Sequence, residues 1–202
     1  KGVVNGEGIS VFPNIYHSVL PFMNDIIKIE GKGNKFGLQK LSGEVILATK
    51  YDRIDSLSEL VFAVTLEGKL GFMNLKGETV IPFDYDAFDE EVAFYNGLAC
   101  VKKSRDDGSY RFGYIDHRNE VVIPFQFSGA QTFKDKDYIE NWITYPAGGD
   151  KSYTRDTYKL ALDGTIIMVD SEHFEDTSWY REWEANHPYD ESRRYNDDSL
   201  DA

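Results

Sequence analysis

Cysteine is nearly absent from this chain. Cys100 is the only one, which excludes an intrachain disulfide and any zinc ribbon or finger. It lies in the apolar run Gly97-Leu98-Ala99-Cys100-Val101, where a small buried hydrophobe is expected. Basic residues are outnumbered, 22 Lys and Arg against 35 Asp and Glu, for a net charge of −13. A chain so acidic is repelled by nucleic acid and by anionic lipid, so neither is expected as a partner. Apolar runs are too short for a transmembrane span. The four histidines, His17, His117, His173 and His187, include no pair at helical ligand spacing, and no metal or cofactor site is expected. The first residue is Lys, consistent with a mature or trimmed product. Cytoplasmic and exported locations both stay open, as does the oligomeric state.

What is present is periodic. Three segments align without gaps: Lys35 to Asp52, Lys69 to Asp86 and Arg111 to Ser128. A glycine recurs at Gly37, Gly71 and Gly113, preceded by Phe36, Leu70 and Phe112. A turn residue recurs at Gly43, Gly77 and Asn119, each followed by Glu. An aromatic recurs at Tyr51, Tyr85 and Phe127. The glycines are 34 and then 42 residues apart, and the surplus is assigned to the polar connection Lys103–Ser109. Partial copies flank these cores, at about 5–20 and about 157–170, and Tyr158 stands where the last would carry its glycine.

Each core reads as a β-hairpin closed by a two-residue turn, with Pro82 and Pro124 ending their strands. An apolar run before each core, such as Leu60 to Val64, supplies a third strand. Side chains alternate along a strand, so Phe36, Leu70 and Phe112 should be buried in equivalent places, with Ile46, Val80 and Val122 nearby. The glycines then face the other way, where an aromatic of a neighbouring strand or repeat is expected to approach.

These segments resemble WG repeats, whose typical copy runs from a Trp-Gly pair through a strand and a turn to Val-Ile-Pro and Tyr-Asp. The pieces that carry the resemblance are Phe112-Gly113-Tyr114-Ile115-Asp116, Thr79 to Asp86 and Asn96 to Lys103. The signature Trp is replaced by Phe36, Leu70 and Phe112, which keep an apolar plug but no indole N–H. The resemblance covers about residues 31–130. It implies bacterial origin and repeat-mediated binding, and no established reaction.

Residues 171–202 break the pattern, with ten acids and three Arg for a net of −7. Trp179 and Trp183 are four apart, which fits one face of a short helix ended by Pro188. That segment is read as an acidic helical cap and tail, with the two Trp either covering the last repeat or anchoring a partner.

No catalytic motif emerges. Cys100, His117 and Asp116 have no nucleophile signature around them, and Glu90-Glu91 read as a solvated strand edge. The glycines at 31–37 have the wrong spacing for a phosphate loop.

The expected fold is mostly β: tandem antiparallel meanders over residues 1–170, with cores at about 35–54, 69–88 and 111–130. They form an elongated solenoid or fan-like array, or alternatively a propeller-like ring, followed by the helical segment 171–202. The expected function is non-catalytic binding or scaffolding of a protein, peptide or glycan. Two alternatives stand beside it, an acidic inhibitor of immunity type and a hydrolase using carboxylates in a cleft. Candidate binding residues are Tyr95, Tyr110, Tyr138, Trp179 and Trp183. Substitution of Cys100, His117 or Glu90 is expected to leave activity intact.

Overall fold

A computed structural model describes residues 3–4, 10–12, 16–129, 131–134, 138–147 and 152–174. Two short strands, β1 (Val3–Val4) and β2 (Ser10–Phe12), pair with each other. Four antiparallel meanders follow. After β3 (Ser18–Met23), which pairs with its first strand, the first is β4 (Ile26–Glu30), β5 (Phe36–Lys40) and β6 (Val45–Tyr51). A short strand, β7 (Arg53–Ile54), leads to the second: β8 (Val61–Leu66), β9 (Lys69–Asn74) and β10 (Thr79–Asp86). Likewise β11 (Phe94–Tyr95) leads to β12 (Leu98–Ser104), β13 (Tyr110–Ile115) and β14 (Val121–Phe127). The fourth is β15 (Tyr138–Ala147), β16 (Ser152–Ala161) and β17 (Ile166–Phe174). Every pairing is antiparallel, and among the described residues no sheet closes into a barrel. The proposed helix over Trp179 and Trp183 lies outside the described residues.

The hairpin turns carry one residue more than the sequence suggested. In each, a backbone N–H donates three residues back and the closing pair is four apart, as in Gly77 to Asn74 and Asn74 to Glu78. This is the three-residue loop whose last member is left-handed, here Gly43, Gly77, Asn119 and Gly164 with φ of 93°, 79°, 65° and 87°. The side chain before the loop holds it shut. Asn74 Oδ1 accepts the amides of Lys76 and Glu78, and Asp116 Oδ1 those of Arg118 and Glu120. The recurring Glu closes the same turns: Glu44 pairs with Lys40, Glu78 accepts from Asn74 and Glu120 from Arg118.

The recurring glycine does not meet an aromatic first. A Cβ on Gly37, Gly71 or Gly113 would lie 2.6, 2.8 or 2.9 Å from the carbonyl oxygen of Leu47, Ile81 or Ile123, on the third strand of its own meander. The rings of Phe83 and Phe125 come next, at 3.1 Å from Gly71 and Gly113. The register shows why. Leu70 faces Tyr85 while Phe72 faces Ile81, so two steps on β9 span four on β10. The same two-against-four step occurs between Phe36 and Leu38, and between Phe112 and Tyr114. The third strand therefore bulges over each glycine. Pro82 and Pro124 do not end their strands; they sit in these bulges, where the lack of an N–H costs no ladder bond.

A second register shift beside the turn, one step against two (Met73 faces Thr79, Phe72 faces Ile81), moves the buried set by one residue. Leu47, Ile81 and Ile123 are buried, whereas Val80 is exposed and Ile46 and Val122 are half-buried. Opposite them Leu38, Phe72 and Tyr114 are fully covered, with Leu70 and Phe112 also buried and Phe36 only half-buried.

Past the bulge, the third strand rejoins its own hairpin, with Tyr85 opposite Leu70 and Phe127 opposite Phe112, and its end also reaches the next meander. Asp86 pairs with Lys102 across β10 and β12, and Ser128 N–H donates to Trp142 O. The ends of the aligned segments lock this exit. Asp52 pairs with Lys35 and accepts from Gly68 N–H; Asp86 pairs with Lys69 (2.5 Å) and accepts from Ser104 N–H. Ser128 does the same with Thr144 N–H, 3.0 Å. Ring stacking repeats across the joints, Tyr51 on Phe83 and Tyr85 on Phe125, with Phe127 edge-on to Tyr158.

Three cores result, one between each consecutive pair of meanders. Phe62 and Val64 of β8 enter the first core while Val61 and Ala63 enter the second. Ala99 and Val101 of β12 enter the second while Leu98 and Cys100 enter the third. Strands buried on both faces read as continuous apolar runs, which is how these two appear in the sequence.

Two predictions follow from this geometry. Gly113→Ala drives a methyl against the Ile123 carbonyl, and unfolding by denaturant should show a loss of about 1–3 kcal/mol, as for other overpacked sites; unchanged stability would mean that the bulge is not tight. Hydrogen bonding to Lys35 holds the Asp52 carboxyl below its usual range; at Asp86 burial pulls the other way, but the bonds from Lys69 and Ser104 outweigh it. A carboxylate whose folded pKa is depressed stabilises above its unfolded pKa of about 4 and loses that contribution as pH falls through the folded value. Asp86→Asn should therefore be less stable than the parent at pH 7, and the gap should narrow as pH falls below about 4.

Candidate functional site

A cavity of about 580 Å³ opens where the second, third and fourth meanders meet. Its floor is Cys100 and Phe112, from neighbouring strands β12 and β13. Phe88 stands edge-on to Phe112 at 5.3 Å, and Tyr110 is also edge-on to it at 5.7 Å. The Lys102 ammonium lies 5.8 Å above the Phe88 ring and 5.1 Å above Tyr110. The far wall is Trp142, whose indole lies so close over Gly129 that a Cβ there would be 2.0 Å from the ring. The Arg155 guanidinium is 5.8 Å from the same indole.

The near wall is the loop 87–93, and a residue one repeat earlier shapes it. Arg53 donates to the carbonyl oxygens of Phe88 (2.7 Å), Asp89 (3.0 Å) and Glu90 (2.5 Å). Asp55 ion-pairs with Arg53 and accepts from its Nη2 at 2.9 Å, and its Oδ2 also accepts Val92 N–H at 3.0 Å. Burial raises the Asp55 pKa against the pull of Arg53 and Val92. Glu91 accepts from Ser56 N–H, which lowers its pKa. Glu90 and Glu91 thus belong to a clamped loop and not to a strand edge.

The sequence-derived candidates scatter. Tyr110 lines the cavity. Tyr95 is half-buried against the third core under the Lys134 ammonium, and Tyr138 is exposed with the Lys159 ammonium 3.6 Å above its ring. Trp179 and Trp183 lie outside the described residues. Of the signature residues, Phe112 forms part of the cavity floor, while Tyr51, Tyr85 and Phe127 serve the joints between meanders. Phe88, Lys102 and Trp142 escaped sequence reasoning; the visible signal was the Gly-Leu-Ala-Cys-Val-Lys run that places Lys102 two residues after Cys100.

The Cys100, His117 and Asp116 constellation is not assembled. His117 Nε2 lies 2.8 Å from Glu59, and its ring stacks on Phe94 at 3.9 Å. His117, its side chain 38% exposed, ties the 116–120 turn to the strained turn at Glu59-Leu60, where both residues have positive φ. The Asp116 carboxylate caps its own turn. Burial pushes the Cys100 thiol up to about 12 against a hydrogen bond with Tyr114. Among the described residues no group of three or more His, Cys, Asp or Glu gathers as a metal site, and no helix is long and apolar enough to cross a membrane.

Fold and register define a tandem β-meander repeat protein. Residues 71–104 and 112–140 match the model of the WG containing repeat, as two tandem matches. The first match runs from Gly71 to the end of β12, so the sequence unit joins the hairpin of one meander to the first strand of the next. No curated protein matches the chain.

A thiol held up to about 12 is almost wholly protonated at neutral pH. Alkylation of folded protein by iodoacetamide at pH 8 should be at least ~100-fold slower than in denaturant; comparable rates would put a reactive thiolate in the cavity.

Proposed function

We propose that this chain is a non-catalytic binding module and that it holds its partner in the cleft between the loop 87–93 and Trp142. The observation that carries this reading is the cleft itself. Its volume falls within the range of ligand sites, about 300–1,000 Å³, and its walls combine aromatic surface with a few fixed polar groups. Aromatic side chains supply large contact area at low conformational cost. The loop is already pinned by Arg53 and Asp55, so little ordering is left to oppose binding. Cys100, with its raised pKa, supports packing over nucleophilic chemistry at the floor.

Selection from peptide-display and glycan-array libraries on the immobilised chain tests the reading. Selected ligands should lose at least ~10-fold in affinity on Tyr110→Ala, with Tyr138→Ala close to neutral and the melting temperature unchanged in both. Binding indifferent to Tyr110 would move the site elsewhere, and mass-spectrometric detection of a cleaved ligand would overturn the non-catalytic reading.

A further inference from the structure

Resting on the cleft as the binding site, we propose that its occupant is a basic peptide segment. Such a segment would set an arginine or lysine side chain against the Asp89 and Glu90 carboxylates beside Phe88 and Tyr110. Three observations carry this. Arg53 spends its Nη donors on the backbone of the loop and on Asp55, and so leaves the Asp89 and Glu90 carboxylates uncompensated. Among the described residues neither carboxylate has an ion pair or a hydrogen bond, whereas Glu91 is engaged by Ser56. Glu90 lies close enough to Cys100 for its charge to bear on the thiol, so its field reaches into the cleft.

The rings show the same preference. The chain's own Lys102 ammonium lodges against Phe88 and Tyr110, and it makes no ion pair among the described residues. Ring faces that hold one ammonium can hold another cation, and Arg does so most readily. The lining carries Asp89, Glu90 and Glu91 with Lys102, the Arg155 guanidinium lies beside Trp142, and the chain has a net charge of −13, so a basic segment is drawn toward the loop and an acidic one repelled. Lys102 is then a competitor of the incoming cation. This sets the proposal apart from an anionic ligand, for which Lys102 would be the anchor.

Fluorescence anisotropy with three rhodamine-labelled nonapeptides tests it. They share a Gly/Ser/Tyr frame and carry three Arg, three Gln or three Glu. The Arg peptide should bind at least ~10-fold more tightly than the Gln peptide, the Glu peptide more weakly still, with the preference fading as salt rises from 0.05 to 0.5 M. Asp89→Asn/Glu90→Gln should weaken the Arg peptide ~10-fold, and Asp84→Asn/Asp106→Asn, which removes the same charge elsewhere, by less than ~2-fold. Lys102→Met should tighten it. Circular dichroism melting checks that each variant is folded. Equal affinity for the three peptides, or loss of binding in Lys102→Met, overturns the basic occupant; if that binding still depends on Tyr110, the cleft reading survives. Arg-peptide binding untouched by both Tyr110→Ala and the double acid variant overturns both. Failure of all three peptides to bind overturns the basic occupant alone.

Discussion

Where the third strand of each of the first three meanders crosses its second, a backbone carbonyl comes so near a backbone Cα that only glycine fits. At Gly37, Gly71 and Gly113 the missing Cβ would stand inside the contact distance of the Leu47, Ile81 and Ile123 oxygens. This close crossing lets four residues of the third strand pass over two of the second, and the resulting bend turns the strand toward the next meander. The fourth meander is the internal control. Tyr158 occupies the glycine position, and β16 and β17 pair through a long hairpin with a single small register shift. Without the glycine the four-against-two crossing is missing, and β16 and β17 keep nearly continuous pairing.

From that bend the shared cores follow. A meander with one covered face would bury little apolar surface by itself. Bending the third strand into the neighbour's sheet sets meanders side by side and lets β8 and β12 bury both faces. Stability then resides in the joints, in the manner of repeat arrays whose units depend on nearest neighbours. The Lys35–Asp52 and Lys69–Asp86 pairs and the Tyr51–Phe83 and Tyr85–Phe125 stacks all sit at these joints, so the most regular features of the sequence are those that join one copy to the next.

The periodic part of this design was legible in the sequence because each recurring residue answers a local backbone demand. Glycine at the crossing, Gly or Asn at the left-handed turn position and Glu after the turn could be aligned by spacing alone. The buried set was legible only to within one residue. Val80 was expected near the core, but a one-against-two step beside the turn shifts the register by one, so Ile81 is the buried residue, and Pro82 lies within the strand. The cleft was legible only through Tyr110. Phe88, Lys102 and Trp142 come from three elements, and the shape of the loop that joins them depends on Arg53, far away in sequence. Long-range juxtapositions of this kind leave no periodic trace.

The unequal repeat spacing links fold to cleft. The second interval exceeds the first by eight residues, 42 against 34. The polar connection near Lys103–Ser109 takes up part of this surplus. The connection 87–97 takes up another part, being three residues longer than its counterpart 53–60. A loop that only needed to reach the next first strand would not require that length. The longer connection carries Asp89, Glu90 and Glu91 across the edge of the third core and places Phe88 against Phe112. Insertions in such connections leave the scaffold unchanged, which is why binding surfaces accumulate there. Arg53 then removes the freedom that a longer loop would otherwise have, because it occupies three successive carbonyls and is itself fixed by Asp55. The array thus uses its own regular position, the residue just after Asp52, to turn an irregular insertion into a rigid wall.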